Sequence, residues 1–257
     1  PSSLACEVCY TGSHRVAHLA RMRRLFSAIA FTVVAPSPTA LSVWQRSADF
    51  AIKDAIVQEH CKLKKETVSR PSNSDPSAPL RLAFLGFPSI HKGWPLFCDV
   101  VHRFEADPRY AFYHFGRSKP KSTLKGVSFR HTVATTNDRQ AMSKALSSTG
   151  IDAAFLCSLW PETYNFTTIE ALAGGALIVT LSSSGNIAAL VKEHECGLVF
   201  ADEKALTDAF ATGELVRGIR DLQCKHLRYS YTFSDMSSDV VLEDLSSDVA
   251  VESDPAR

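Results

Sequence analysis

The feature that most constrains this chain is a rhythm between residues 80 and 215. Short apolar runs alternate there with segments of helical period. The runs are "LRLAFLGF" (80–87), "YAFYHFG" (110–116), "VSFRHTV" (127–133), "IDAAFLCS" (151–158), "ALIVTLS" (176–182) and "LVFA" (198–201). The helical segments lie at 94–107, 138–150, 167–175, 185–197 and 202–213, with Gly150 and Gly197 at C-cap positions. Strands alternating with helices of about ten residues close as a parallel sheet covered on both faces. The expected fold class is therefore α/β, with a Rossmann-like domain over 80–215.

The residues before this domain do not repeat its rhythm in full. "SHRVAHLARMRRLFS" (13–27) predicts an amphipathic helix, with Val16, Leu19, Ala20, Met22 and Leu25 on one side and Arg15, Arg21, Arg23 and Arg24 interleaved. "LFSAIAFTVVAPSP" (25–38) reads as a buried strand ending in a turn. "PTALSVWQRSADF" (38–50) reads as a short helix, and "AIVQEHCKL" (55–63) is weakly strand-like. "KKETVSRPSNSDPSAPL" (64–80) has three prolines, four serines and no apolar period, the pattern of a linker. The expected organisation is a remnant of a preceding α/β domain at 1–63, a linker at 64–79, the Rossmann-like domain at 80–215, and a C-terminal helix and acidic tail at 216–257. "TFSDMSSDVV" offers one more short helix there, and the acidic tail proper starts near Glu243.

Composition narrows the function classes. A formal net charge of +1 gives no bulk electrostatic case for nucleic acid. No apolar run reaches the roughly 18–20 residues that span a bilayer, and no signal peptide is visible. The expected location is the cytoplasm. The basic face of 15–24 leaves room for a peripheral contact at the inner face of a membrane, although a solvated helix explains it as well. Of the seven cysteines, several sit inside apolar patterns, Cys98 and Cys157 among them, and these read as small buried hydrophobes in a reducing compartment. Cys6-x-x-Cys9 lacks the second ligand pair that a zinc site would want.

Three segments place polar residues and glycines beyond predicted strand ends, where ligands of open parallel sheets bind. In "LGFPSIHKGW" (85–94), Gly86 closes a strand and Lys92 stands just before a helix, where an ammonium makes sense beside a bound anion. In "WPETYNFTTIEALAGG" (160–175), Glu162 and Glu170 flank the start of a helix, and Thr167-x-x-Glu170 fits a capping box. In "LSSSGNIAALV" (181–191), serines, Gly185 and Asn186 open another helix. Taken singly, each reads as ordinary capping or a solvated loop.

Their order in one domain says more. "GFPSIHKGW", "PETYNFTTIEALAGGALIV" and "SSSGNIAALVKEHECGLVF" together resemble the C-terminal, donor-binding domain of the retaining GT-B glycosyltransferases of group 1, family 4. The middle segment carries that family's Glu-x7-Glu pattern as Glu162 and Glu170, and the resemblance covers about residues 80–212. It implies a nucleotide-sugar donor and transfer of its sugar to a glycan or lipid-linked acceptor in polysaccharide biosynthesis, with no metal cofactor. Glu170 would accept hydrogen bonds from the ribose, Glu162 would orient the donor sugar, and the backbone of Asn165, Phe166, Thr167 and Thr168 would meet sugar and diphosphate. Lys92 would neutralise the departing diphosphate beside Gly86 and Gly185, and the loop near Thr132 and Val133 would meet the base. Many members carry an arginine shortly before the Lys-Gly pair. Here "FPSIH" has none, so either His91 substitutes or the diphosphate is held less firmly. A non-catalytic nucleotide-sugar-binding module and a GT-B epimerase remain the alternative readings.

Overall fold

A computed structural model describes residues 15–47, 49–67, 77–119, 124–225 and 227–234. The chain divides into two compact units, one of the described residues up to His60 with Ser234, the other of Cys61–Phe233.

The first unit holds α1 (Arg15–Ala28), β1 (Thr32–Ala35), α2 (Pro38–Ser47) and β2 (Asp54–Val57). β1 and β2 pair in parallel, from Thr32 opposite Asp54. The run 25–38 is thus not one buried strand: its first residues finish α1 and only four form β1. The apolar stripe on α1 also differs from the expected one. Leu19, Met22 and Phe26 are half-buried, whereas Val16, Ala20 and Leu25 are exposed. The 3-then-4 spacing ends on Phe26 because its ring has partners, Phe31 and Phe50 at 4.7 Å and Trp44 at 6.1 Å.

The second unit carries the predicted rhythm. In chain order come β3 (Cys61–Thr67), β4 (Leu80–Leu85), α3 (Trp94–Phe104), β5 (Tyr110–Gly116), β6 (Val127–His131), α4 (Ala141–Thr149), β7 (Ala153–Phe155), α5 (Phe166–Ala173), β8 (Leu177–Leu181), α6 (Asn186–His194), β9 (Gly197–Phe200), α7 (Glu203–Thr212), α8 (Glu214–Gln223) and β10 (Leu227–Phe233). Among the described residues, six strands form one parallel sheet in the order β6-β5-β4-β7-β8-β9.

Alternation along β4 shows why both faces are covered. Leu80, Leu82 and Phe84 enter one core with Phe97, Val100, Phe155, Val179 and Phe210. Ala83 and Leu85 point the other way, into a core with Phe115, Leu146, Ile178, Leu172 and Ile187. Each fully buried Phe or Leu removes enough apolar area from water to contribute about 1.5–3 kcal/mol. Two such layers explain why the strands read as unbroken apolar runs.

Some boundaries move. Gly150 ends α4 in the left-handed region as predicted, but α6 ends at His194 with Glu195 as its left-handed cap, not at Gly197. Gly197 instead opens β9, where a Cβ would lie 2.0 Å from the carbonyl oxygen of Ile178. The linker expected at 64–79 begins inside a strand: β3 pairs antiparallel with β10, Cys61 opposite Phe233 and Thr67 opposite Leu227. β10 packs on α5, and Tyr229 joins the second core. Part of what the sequence offered as tail is therefore strand. Thr232 and Phe233 belong to it and not to a further helix, because Lys62 and Cys61, about 170 residues away, supply the ladder. Residues 68–76, the Cys6-x-x-Cys9 pair and the acidic tail lie outside the described residues.

Candidate functional site

In the six-stranded sheet the chain runs outward from β4 through β5 to β6, then returns to β7 and runs the other way through β8 to β9. The order reverses between β4 and β7. At such a switch point the loops after neighbouring strands diverge to opposite faces and leave a crevice at the carboxyl edge. The loop after β4 carries Gly86 and Lys92. The loop after β7 carries Ser158, Glu162 and Asn165, and the loop after β8 carries Ser184 and Gly185.

The first two loops are pressed together. Gly93 has φ 80, and a Cβ there would sit 2.0 Å from the carbonyl oxygen of Cys157 at the end of the β7 run. The Leu159 N–H donates to the His91 carbonyl at 3.0 Å. Lys92 lies between these two points, so its side chain is delivered to the loop after β7. Its Nζ donates to Glu162 Oε1 at 2.7 Å. The same oxygen accepts a bond from Ser158 Oγ at 2.8 Å. The third loop fixes Glu162 from behind. The Asn186 N–H donates to the Glu162 carbonyl at 2.8 Å, the Glu162 N–H to the Ser184 carbonyl at 3.3 Å, and Ser184 Oγ to the Ser158 carbonyl at 3.0 Å. Gly185 passes so close that a Cβ would be 2.6 Å from the Glu162 nitrogen. The Glu162 side chain is 9% exposed and that of Lys92 38%. One partner is buried and hydrogen-bonded, and the other is reachable from solvent.

The helix that follows is capped differently from the expected box. Asn165 is the N-cap of α5, its side-chain oxygen accepting from the Thr168 N–H at 3.0 Å and from Thr168 Oγ1 at 3.3 Å. Thr167 lies inside the helix, so Thr167 and Glu170 do not form a capping box. The Asn sits at the extended residue where a cap is geometrically possible, and that outweighs the Thr-x-x-Glu spacing.

Gly86, Phe87, Lys92, Ser158, Asn165 and Thr167 line a small cleft of about 90 Å³, room for only a few water-sized groups. It brings together an ammonium, a hydroxyl and the N-terminus of α5, whose dipole favours an anion. Phe166, the first residue of α5, is exposed and meets Tyr164 edge-on at 5.1 Å. Glu170 does not line this cleft. It lies half-buried one turn further along α5, where burial pushes its carboxyl up to about 7. It faces β10: burial first and the Glu170 charge second raise the pKa of Tyr231. Val133 follows β6, the outermost strand, and is likewise not part of the cleft; its neighbour Thr132 is held by a 3.0 Å bond from its N–H to the Gly116 carbonyl. His91 does not turn towards the Glu162 carboxylate. Its ring stacks on Trp160 at 4.4 Å and lies 3.3 Å from Ser89 Oγ.

Nothing in the sequence pointed to Ser158, and nothing in it set Ser184 apart from Ser182 and Ser183. Both are small polar residues just past strand ends, and no local pattern separates them from other loop serines. Among the described residues, no group of three or more His, Cys, Asp or Glu side chains is placed to hold a metal ion, and no helix is long and apolar enough to cross a membrane.

No protein-family model and no curated protein sequence matches the chain. Solved structures do. HepE from Anabaena, in complex with UDP and glucose, superposes with a TM-score of 0.56 at 15% identity, over 96% of this chain and 70% of that one. A variant of S. aureus TarM, with fondaparinux, α-GlcNAc-glycerol and UDP, gives 0.56 at 11% identity, over 85% of this chain and 44% of that one. The α,α-trehalose 6-phosphate synthase of Burkholderia multivorans gives 0.53 at 10% identity, over 98% and 65%. The chain thus spans less than half of TarM and under two thirds of the synthase. At these identities the likeness is one of fold, and the fold is the α/β, Rossmann-like domain of the GT-B architecture, with a six-stranded parallel sheet between helices.

Proposed function

We propose that this chain supplies the donor site of a GT-B glycosyltransferase, binding a nucleoside-diphosphate sugar and passing its sugar to a glycan or lipid-linked acceptor in polysaccharide biosynthesis. The observation that carries the reading is the Lys92–Glu162 pair held at the switch point beside Gly86 and the N-terminus of α5. In such a transfer negative charge grows on the leaving diphosphate while the sugar takes on oxocarbenium character. A cation and helix N–H groups already aimed at that charge give the largest expected stabilisation. Lys92 and the α5 N-terminus do this here, so no metal is required. Glu162 Oε1, freed from Lys92 when phosphate arrives, accepts from a hydroxyl of the donor sugar. Glu170 and Val133 lie outside the small cleft, so in this reading the nucleoside extends beyond it, its ribose hydroxyls towards Glu170 and its base towards the segment at Val133. The unit of Cys61–Phe233, with the sheet of 80–215, is the donor domain, the residues up to His60 belong to the acceptor side, and the reaction retains anomeric configuration in the cytoplasm. Binding of UDP by HepE and TarM favours a uridine donor.

A second reading, a nucleotide-sugar-binding module without catalysis, is favoured by one observation. With no arginine in "FPSIH" and with His91 stacked on Trp160, Lys92 is, among the described residues, the one cation lining the cleft. Calorimetric titration of UDP, GDP and ADP, with and without chelator, tests the donor site. Absence of binding by all three removes it, and binding that needs a divalent cation removes the metal-free mechanism. Release of sugar to a lipid or glycan acceptor separates the enzyme from the module, and formation of an epimeric donor without acceptor would mark an epimerase.

A further inference from the structure

His114 lies at the carboxyl end of β5, 1% exposed. Its ring is enclosed by Phe84 at 5.7 Å, Trp94 at 5.0 Å and Phe129 at 5.3 Å. Nε2 stands 3.0 Å from the carbonyl oxygen of Gly86, while Nδ1 is buried with no hydrogen-bond partner. A carbonyl can only accept, so Nε2 carries the proton and the ring is the Nε2–H tautomer. A second proton on Nδ1 would bury a cation and an unpaired donor among aromatic rings. Burial accordingly holds the imidazole below its ordinary pKa.

A phenylalanine would pack here without leaving a buried nitrogen unpaired. What the histidine adds is a fixed carbonyl. The crowding beneath Gly86 is tight: a Cβ on Gly116 would come within 2.7 Å of the Gly86 oxygen and 3.0 Å of His114 Nε2. Above, the space is open. Gly86 has φ 93, and a Cβ on it would meet nothing within 4 Å, on a residue that lines the cleft with Lys92. Gly86 is therefore clamped from below and free towards a ligand. Its N–H is also engaged, donating to the Phe115 carbonyl at 2.8 Å, so both peptide groups of the turn are tied to β5.

We propose that His114 is a positioning residue of the donor site: by holding the Gly86 carbonyl it sets the 86–93 loop so that Gly86 and Lys92 face the diphosphate of a nucleoside-diphosphate sugar. This rests on the function proposed above. His114→Phe keeps the ring volume and removes the donor. His114→Gln places a carboxamide N–H at about the reach of Nε2. Two quantities are read: amide hydrogen exchange over 86–93, with the amides of β8 as the reference for folding, and UDP affinity by calorimetry. The Phe variant is expected to speed exchange over 86–93 about tenfold with β8 unchanged, and to weaken UDP binding about tenfold; the Gln variant returns both to within about threefold. Unchanged exchange in the Phe variant overturns the proposal, as does faster exchange with unchanged UDP affinity. Should the Phe variant lose protection in β8 as well, the Gln variant decides: near-normal loop exchange supports the clamp and loss of it does not. If the loop responds as expected but wild-type protein binds no UDP, the donor assignment falls and the clamp on the loop stands.

Discussion

Lys92 Nζ lies 2.7 Å from Glu162 Oε1, across 70 residues of sequence. The pair exists because two loops are pressed into contact at Gly93 and Cys157 and stitched by the Leu159–His91 backbone bond. It is also asymmetric, with the carboxylate buried and the ammonium in reach of solvent. An incoming anion therefore competes with Glu162 for Lys92. Lys92→Ala should weaken UDP binding at least tenfold, roughly the loss of one charge-assisted hydrogen bond. Glu162→Gln releases the ammonium and should tighten UDP binding about two- to fivefold at low ionic strength, an advantage that salt erodes. Calorimetry at two salt concentrations checks both, and equal affinity in all three proteins would remove Lys92 from the site.

The two left-handed glycines of the 86–93 loop should respond differently to alanine. At Gly93 the new Cβ meets backbone at 2.0 Å, so strain and clash add. Gly93→Ala is expected to cost more than about 3 kcal/mol in urea unfolding. At Gly86 the space is empty, leaving only the cost of the positive φ, about 1–2 kcal/mol. Gly86→Ala should nevertheless abolish UDP binding, since its methyl enters the ligand's side of the cleft. A fully active Gly86→Ala protein would place the diphosphate elsewhere.

Asn165→Ala should lower stability by about 1 kcal/mol through loss of the bond to the Thr168 N–H. Thr167→Ala, which removes no cap, should change it by less than about 0.5 kcal/mol. Thermal unfolding of the two variants ranks them, and the reverse order would restore the capping box.

Glu170 gives a pH dependence with a definite sign. Its folded pKa is raised from 4.5 to about 7 by burial, so between those values the folded state holds more protons than the unfolded one. Its contribution to stability is therefore fully present below about pH 4.5 and is lost as pH rises to 7. Against Glu170→Gln, the wild-type protein should lose on the order of 1 kcal/mol across that window, a figure discounted for the part of the side chain that water still screens. If Glu170 accepts from ribose, nucleotide binding favours the carboxylate and releases a proton near neutral pH. Calorimetry in two buffers of different ionisation enthalpy detects that release; no proton release at pH 6.5 would separate Glu170 from the ligand.

By itself the sequence determined the α/β class and the edge where chemistry gathers. Apolar runs such as "LRLAFLG" and "ALIVTLS" can be buried only between two helical layers, and glycines at their ends mark the loops. Period and composition are local, so they survive without knowledge of contacts. Tertiary structure decided the rest, because each remaining feature depends on residues far apart in the chain. Thr67 became strand only through Leu227. Helix α5 took Asn165 as its cap because of the path by which the chain enters it. Glu170 was parted from the cleft by its place against β10, and Ser158 and Ser184 became part of the site only once the order reversal between β4 and β7 brought three loops to one point. A spacing in sequence names which carboxylates are candidates, but only packing fixes which one meets the lysine.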